Sequence, residues 1–437
     1  MDRKNNSMNI ILLSGGSGTR LWPLSNEVRS KQFLKIFKTE NGHESMVQRM
    51  YRMINEVDSD SSITIATSES QIPQIKNQLG DNVGISIEPC RRDTFPAIAL
   101  ACAYLKKNGV AEDESVVVCP VDPYVNEDYF LCLKKLSDEA GKANLTLLGI
   151  TPTEPSTKFG YILPNGKFTE KPNKERAKRL LEEGACWNGG VFAFKLSYLL
   201  NKTKEILGSS DYDWLFSNYA MLKKISFDYA VAEHEDSIKV IPFSGQWRDL
   251  GTWNILTEVM EDKVTGNATA VNSEGTHIIN ELNIPLISIG AKNMIIVATP
   301  DGILVSDKDE SPSLKDYVEI ARPMHEARPW GHYTVLDSTA QKDGYNSLTK
   351  HMIISPNQHI SYQIHRNRTE IWTFIEGNGE LIINGEVRRV SRGDSVVIPA
   401  DTKHAIKALD KELHIIEVQV GDNLVEEDIE RLDWNWD

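Results

Sequence analysis

The sequence predicts an α/β protein with a mostly parallel sheet, followed by two stretches of β-structure alone. Three observations predict it. Short β-branched runs alternate with helical patterns from residue 8 to about 262. From 263 to about 325, short β runs recur every eight to ten residues, with Gly, Asn and Pro between them. From 326 to 437 the β pattern continues, punctuated by turn residues. At 437 residues the chain is too long for one core, and two or three domains follow.

In the first region, Met8–Leu13, Ile63–Thr67, Val83–Ile87, Ser115–Cys119 and Leu145–Ile150 read as strands. Met46–Val57 and Ala97–Lys107 have helical spacing between them. Strand–helix alternation implies a parallel sheet covered on both faces. Ligands of such sheets sit beyond the carboxyl ends of the strands. Chemistry is therefore expected just after each strand.

Hydrophobic residues make up 40% and charged residues 25%, as in an ordinary globular protein. The net charge of −14 argues against a nucleic-acid partner. Anionic substrates must then be held by local cationic pockets. No apolar run reaches the roughly 18 residues that cross a bilayer, and the polar start does not read as a signal peptide. The five cysteines, Cys90, Cys102, Cys119, Cys132 and Cys186, have no CxxC spacing and read as reduced thiols of a cytoplasmic protein. A homo-oligomer, a dimer, is expected.

After the first strand comes Ser14-Gly15-Gly16-Ser17-Gly18-Thr19-Arg20. Glycines let the backbone approach a ligand with no Cβ in the way, and successive amide N–H groups make a phosphate cradle. Arg20 and Lys31 add cationic donors. The Walker loop is excluded because the run ends Gly18-Thr19-Arg20 rather than Gly-Lys-Ser/Thr. The dinucleotide fingerprint is excluded because Leu21 stands where its third glycine belongs.

Ser14 to Ser25, with Lys31-Gln32-Phe33-Leu34, resembles the signature of the sugar-1-phosphate nucleotidyltransferases. More narrowly it resembles the mannose-1-phosphate guanylyltransferases that carry a C-terminal phosphomannose isomerase domain. The resemblance runs along almost the whole chain. It implies a Rossmann-like nucleotidyltransferase domain over 1–262, a short β-helix-like segment over 263–325 and a cupin barrel over 326–437. It also implies GTP and mannose 1-phosphate as substrates.

After the third strand, Glu88-Pro89-Cys90-Arg91-Arg92-Asp93-Thr94 leads into a helix. Arg92 and Thr94 precede a helix N-terminus, which favours anions or carbonyl dipoles. In the resembled family this stretch borders the nucleotide base. Asp93 and Arg91 stand where that family has Asn and Gly. After the fourth strand, Asp122 between prolines suits a Mg²⁺ ligand, and Asp249 in Trp247-Arg-Asp-Leu-Gly251 is a second. The resemblance assigns both to the metal, with Pro123 where the family has His.

Between them lies an expected sugar pocket. Gly160 and Tyr161, Glu170 and Lys171, and Asn188 and Gly189 fall at breaks in structure. Glu170 and Asn188 supply acceptors and donors for sugar hydroxyls, and Lys171 suits a sugar phosphate. These match the family's Tyr-Gly-Tyr-Ile, Glu-Lys-Pro and Trp-Asn-Ser-Gly motifs, with Phe159 and Gly189 as departures. Asp228 would help shape the pocket. The polar run Asp307–Ser313 reads as an exposed turn, and Gly377–Gly379 and Asn384-Gly385 as hairpin turns.

Residues 358 to 404 are similar to the two cupin motifs. Gln363 and His365, two apart on a strand, face one side. With Glu370 and His404 they form a mixed N/O set for a divalent transition metal or Zn²⁺. Phosphomannose isomerases also have Gln at the first position. The compared motif has histidines where this chain has Arg366, Asn367 and Ile371. Arg366 and Arg368 are candidates for a phosphate. The leading expectation is transfer of a guanylyl group from GTP to mannose 1-phosphate. The alternatives are a bifunctional enzyme that also interconverts mannose 6-phosphate and fructose 6-phosphate, a transferase for another sugar, and a non-catalytic sugar-nucleotide sensor.

Overall fold

The computed structural model describes residues 7–16, 19–26, 29–318, 323–340, 344–426 and 428–436. Ser17 and Gly18 of the glycine loop, and the Thr19 side chain, lie outside the described residues. By packing, the chain divides into two compact units. The first is 1–25, 30–263 and 307–316, and the second is 26–29, 264–306 and 317–437.

The first unit is built on a nine-stranded sheet. Asn9–Leu13 lies at its centre, parallel to Ser62–Ser68 on one side and Ser115–Pro120 on the other. Gly84–Glu88 extends the parallel run beyond Ser62–Ser68. Cys186–Lys195 runs antiparallel to Ser115–Pro120 and to Leu145–Ile150, which pairs in parallel with Ile238–Phe243. The mostly parallel α/β sheet is therefore present, with this long strand and the short Phe168–Thr169 running against the rest.

Both sheet faces are buried, which explains the continuous apolar runs. Ile10, Leu12, Ile65 and Val117 pack toward Met50 and Ile54 of the helix Met46–Val57 and Leu133 of Glu127–Glu139. Ile11, Val116 and Val118 face Phe95, Ile98 and Leu105 of Thr94–Lys107. Met46–Val57 starts where Ser45 and Gln48 bond reciprocally, side chain to backbone N–H. Thr94–Lys107 starts three residues before the expected Ala97, because the Asp93 side chain accepts the Thr94 N–H and caps it.

Residues 307–316 differ from the expected exposed turn. Ser311 is buried, and its hydroxyl accepts the Asn254 N–H at 3.2 Å. The short helix Ser311–Asp316 packs on the turn Thr19–Leu21, which carries Arg20, and on Trp253–Val259.

The second unit opens with two sheets of short, largely parallel strands. Val264–Gly266, His277–Asn280 and Met294–Thr299 stack in register in one, and Ala268–Val271 and Leu286–Ile289 in the other. Parallel coils of this kind match the expected β-helix-like segment. The remainder is a cupin-like barrel of a six-stranded and a five-stranded antiparallel sheet, closed around Trp372, Phe374, Leu381, Ile406 and Ile415. Asn384 and Gly385, both at positive φ, form the expected hairpin turn between Asn378–Ile383 and Glu386–Ser391. Gly377 is different. The strands on either side of it, Thr369–Glu376 and Asn378–Ile383, lie in different sheets, so it turns a barrel corner rather than a hairpin. It needs φ 82°, and a Cβ there would overlap the Glu412 carbonyl.

Candidate active site

The carboxyl ends of the central strands carry the glycine loop, Glu88 and Asp122, where a parallel sheet places its ligands. The loop is braced from behind. Gln32, almost fully buried, donates to the Ser14 carbonyl at 2.7 Å and to its hydroxyl at 3.2 Å. Ser30 Oγ donates to the Gly16 carbonyl at 3.1 Å, and Gln71 Nε2 donates to Ser30 Oγ at 2.9 Å. These bonds occupy loop carbonyls on the protein side. Ser14 is thus a structural anchor, with its side chain turned to Gln32. The space beside Gly16 is open, as close approach of a ligand requires.

Asp122 and Asp249 meet because Pro123–Val125 and Trp247–Asp249 form an antiparallel ribbon in which Asp249 opposes Pro123. Lys31 Nζ lies 2.6 Å from Asp122 Oδ2 and 3.9 Å from Asp249 Oδ1. Both carboxylates remain partly open to solvent. A Cβ on Gly251 would stand 3.0 Å from Arg20 Nη1 and 3.2 Å from Asp249 Oδ1, so Arg20 joins the cluster. Trp253 Nε1 donates to the Trp22 carbonyl at 3.1 Å and ties the two sequence elements together. Two converging carboxylates beside two cations form a hard oxygen set that suits a divalent ion next to phosphates.

Gly15, Gly16, Arg20, Lys31, Thr94, Asp122 and Gly251 line a cavity of about 220 Å³. It shares Gly15, Gly16 and Thr94 with a second cavity of about 540 Å³ that reaches Glu88, Arg91, Asp93 and Lys224. Thr94 Oγ1 accepts the Phe227 N–H at 2.8 Å. Arg92 does not line either cavity; its guanidinium donates to the Ala220 carbonyl. Arg91, which the sequence marked only as a departure, lines the larger one.

The expected sugar residues cluster. Lys171 Nζ is 2.8 Å from Glu170 Oε1, and Asn188 Nδ2 donates to Asp228 Oδ1 at 2.7 Å. The Asp228 carboxyl is pushed up to about 6 by burial and by the Glu170 charge. A register break between Asn188 and Phe192 frees this end of the strand from regular pairing. Gly160 is required because a Cβ there would come within 2.5 Å of Glu170 Oε2. A Cβ on Gly189 would stand 3.1 Å from Ile150. Tyr161 is fully buried, and its hydroxyl donates to the Ser156 carbonyl and accepts the Ser156 N–H, both at 2.9 Å. It supports the pocket from the core. Phe159 packs between Trp187, tilted at 4.9 Å, and Trp247, edge-to-face at 5.4 Å, linking the segments that carry Asn188 and Asp249.

In the barrel, His365, Glu370 and His404 place one ligand atom each within 4.8 Å of one another. Gln363 pairs with His404 across one sheet, and Glu370 comes from the other. The two Nδ1 atoms face backbone carbonyls, His365 that of Asp428 at 2.5 Å and His404 that of Thr402 at 2.9 Å. Both Nε2 lone pairs therefore turn inward. Glu370 Oε2 and His404 Nε2 face each other at 3.3 Å and are buried with no other polar partner, which fits a metal-binding set. Burial opposes ionisation of Glu370, but His404, His365 and Arg368 outweigh it and hold the carboxyl below its usual range.

Arg368 is buried, donating to Glu370 Oε1 at 2.8 Å and to His365 Nε2 at 3.1 Å. Arg366 is bound to Asp401 and Glu430 at 2.7 Å each. Neither guanidinium is therefore a free phosphate holder. The adjoining cavity, about 490 Å³, includes residues that the sequence did not single out: Lys350, Glu417, Gln419 and Glu426. Burial and the Glu370 charge push Glu417 up to about 7. Their signal was alternation. Lys350 lies between inward Leu348 and Met352, and Glu417 follows inward Leu413 and Ile415, so both break an apolar alternation.

A strand-end glycine loop with a lysine between two carboxylates defines a transferase of nucleotidyl groups, and the Nucleotidyl transferase family model matches residues 9–265. The model for the Mannose-6-phosphate isomerase C-terminal matches residues 316–434. A mannose-1-phosphate guanylyltransferase of Salmonella muenchen is 32% identical over 97% of each chain. Alginate biosynthesis protein AlgA of Pseudomonas putida is 31% identical over 97% of this chain and 95% of its own. The crystal structure of a Thermus thermophilus protein, described as a mannose-1-phosphate geranyltransferase, aligns with TM-score 0.60 and 27% identity, over 72% of this chain and 98% of that one. The chain belongs to the mannose-1-phosphate guanylyltransferase family. Among the described residues, no helix is long and apolar enough to cross a membrane.

Proposed function

We propose that this chain transfers the guanylyl group of GTP to mannose 1-phosphate, giving GDP-mannose and pyrophosphate. The observation that carries the reading is Lys31 between Asp122 and Asp249 at the glycine loop, in a chain with full-length relatives of that name. A mannose 1-phosphate oxygen attacks the α-phosphorus in line, and pyrophosphate leaves. The attacking group is already anionic, so no general base is needed. Arg20 and Lys31 hold the phosphates and offset the charge that builds on them. Glu170, Asn188 and Lys171 orient the sugar phosphate. Mg²⁺, assigned here to Asp122 and Asp249, supplies further charge neutralisation when bound.

The three-part division at 262 and 325 is part of this proposal, as is a cytoplasmic location, which suits five free cysteines. The AlgA relative supports a place for the product in polysaccharide synthesis. Pyrophosphate release over four NTPs and several hexose 1-phosphates tests the reading. GTP with mannose 1-phosphate should lead, and excess EDTA should abolish release. Preference for UTP or dTTP with glucose 1-phosphate would reject it.

The barrel favours a second activity, interconversion of mannose 6-phosphate and fructose 6-phosphate. Its support is the buried pair Glu370 Oε2 and His404 Nε2, which have no polar partner beyond each other, beside a cavity of sugar-phosphate size. Zn²⁺ or a transition metal held by His365, Glu370 and His404, with Gln363 alongside, would polarise the carbonyl when bound. Fructose 6-phosphate formation with Zn²⁺, Co²⁺ or Mn²⁺ decides it.

A further inference from the structure

The larger cavity of the first unit contains one ion-polar pair that the transfer chemistry does not use. Glu88, at the end of its strand, accepts a hydrogen bond from the Tyr219 hydroxyl at 2.9 Å through Oε2. Its other oxygen, Oε1, faces the glycine loop, 3.8 Å from where a Cβ on Gly15 would stand. Glu88 and Gly15 both line the cavity, whereas Tyr219 is fully buried among Leu100, Ala103 and Leu215. The tyrosine is thus out of reach of a ligand, and the carboxylate is within reach.

We propose that Tyr219 is the positioning residue for base selection: it fixes one Glu88 oxygen so that the other presents a lone acceptor to the N1–H and 2-amino edge of guanine. This rests on the guanylyl reading above. The physical case is one of matching. Guanine offers donors on that edge, which a carboxylate accepts. Adenine offers the N1 lone pair there, which a carboxylate repels. The discrimination holds only while Glu88 is ionised and aimed. Burial pushes its carboxyl above the usual range, and the Tyr219 hydroxyl and Arg91 pull it back. A hydroxyl that can donate to a carboxylate also fixes its rotation, because a half-satisfied carboxylate would otherwise turn toward solvent or Arg91.

The test measures kcat and KM for GTP and ATP in wild type and Tyr219→Phe, which keeps the ring packing and removes only the hydroxyl. The expected result is a rise of about tenfold or more in KM for GTP, kcat within about twofold, and a GTP-to-ATP ratio of kcat/KM lowered by about tenfold, the range for a hydrogen bond to a charged group. An unchanged ratio, with only a lower melting temperature or kcat, overturns the proposal and leaves Tyr219 a core residue. Glu88→Gln is the second variant. With the Tyr219 hydroxyl donating to the amide oxygen, the NH₂ group faces the base, so the ratio should fall in favour of ATP. An unchanged ratio there also overturns the proposal. A wild-type ratio near one would instead fail the guanylyl reading itself, and the role of Tyr219 with it.

Discussion

Asp122 and Asp249 converge on one lysine, which lies 2.6 Å from the first and 3.9 Å from the second. Two carboxylates this near repel, and Lys31 offsets that repulsion before any substrate arrives. In the transfer proposed above they act, together with Arg20, on charge at the transferring phosphoryl. Arg20→Ala and Asp249→Ala should each slow transfer by at least about 100-fold while the melting temperature stays within a few degrees. Steady-state pyrophosphate release with a thermal melt measures both. Near-normal turnover in either variant would remove that residue from the mechanism.

Gly160→Ala tests the sugar side. The added methyl would stand 2.5 Å from Glu170 Oε2 and 2.9 Å from Phe168, so Glu170 must move. KM for mannose 1-phosphate should rise about tenfold or more, with KM for GTP unchanged. Equal loss for both substrates would place Gly160 in the fold rather than in the sugar pocket.

Asp228 gives a pH-dependent signature. Its folded carboxyl titrates near 6, above its ordinary value of 3.8, because burial and Glu170 disfavour the charge. The folded state therefore binds more protons between those values. The associated stability is present below about pH 4 and is lost as pH rises through about 6. Asp228→Asn keeps a carbonyl for Asn188 and carries no charge. Its melting temperature should exceed that of wild type at pH 7 to 8, and the gap should close toward pH 4. A gap independent of pH would contradict this.

In the barrel, His404→Ala should abolish binding of one divalent ion per chain by elemental analysis, because it removes an inward-facing Nε2. Arg366→Ala should leave the ion in place, since Arg366 is engaged on Asp401 and Glu430. Retention of the ion in the first variant would remove His404 from the ligand set, and a wild-type barrel that carries no ion and isomerises nothing would be a structural module.

Much of this was legible in the sequence because it is local. The strand ends at Leu13, Glu88 and Pro120 follow, to within one residue, from apolar runs and their breaks, and Gln363 and His365 from a two-residue spacing. What remained hidden depends on distant partners. Tyr161 reads as a pocket residue until Ser156 claims its hydroxyl. Arg92 reads as an anion holder until Ala220 supplies a carbonyl from far along the chain. Gly377 reads as a hairpin glycine because a barrel corner and a hairpin demand the same positive φ. Gln32 and Gln71 carry no chemical signal of their own, and only the fold shows that they hold the loop.

The short helix Ser311–Asp316 sets an order of events during synthesis. It underlies the turn that bears Arg20, yet it is made long after that turn has emerged. A ribosome that has completed residue 262 has therefore made every side chain proposed for the transfer site but not the prop beneath one of them. Cutting the gene at that boundary would yield a fragment whose Asn254 N–H has lost its Ser311 acceptor and whose arginine turn has lost one of its supports. The transferase unit cannot be separated from the barrel by a single scissor cut in the coding sequence. A working excised transferase must retain its own copy of residues 307 to 316.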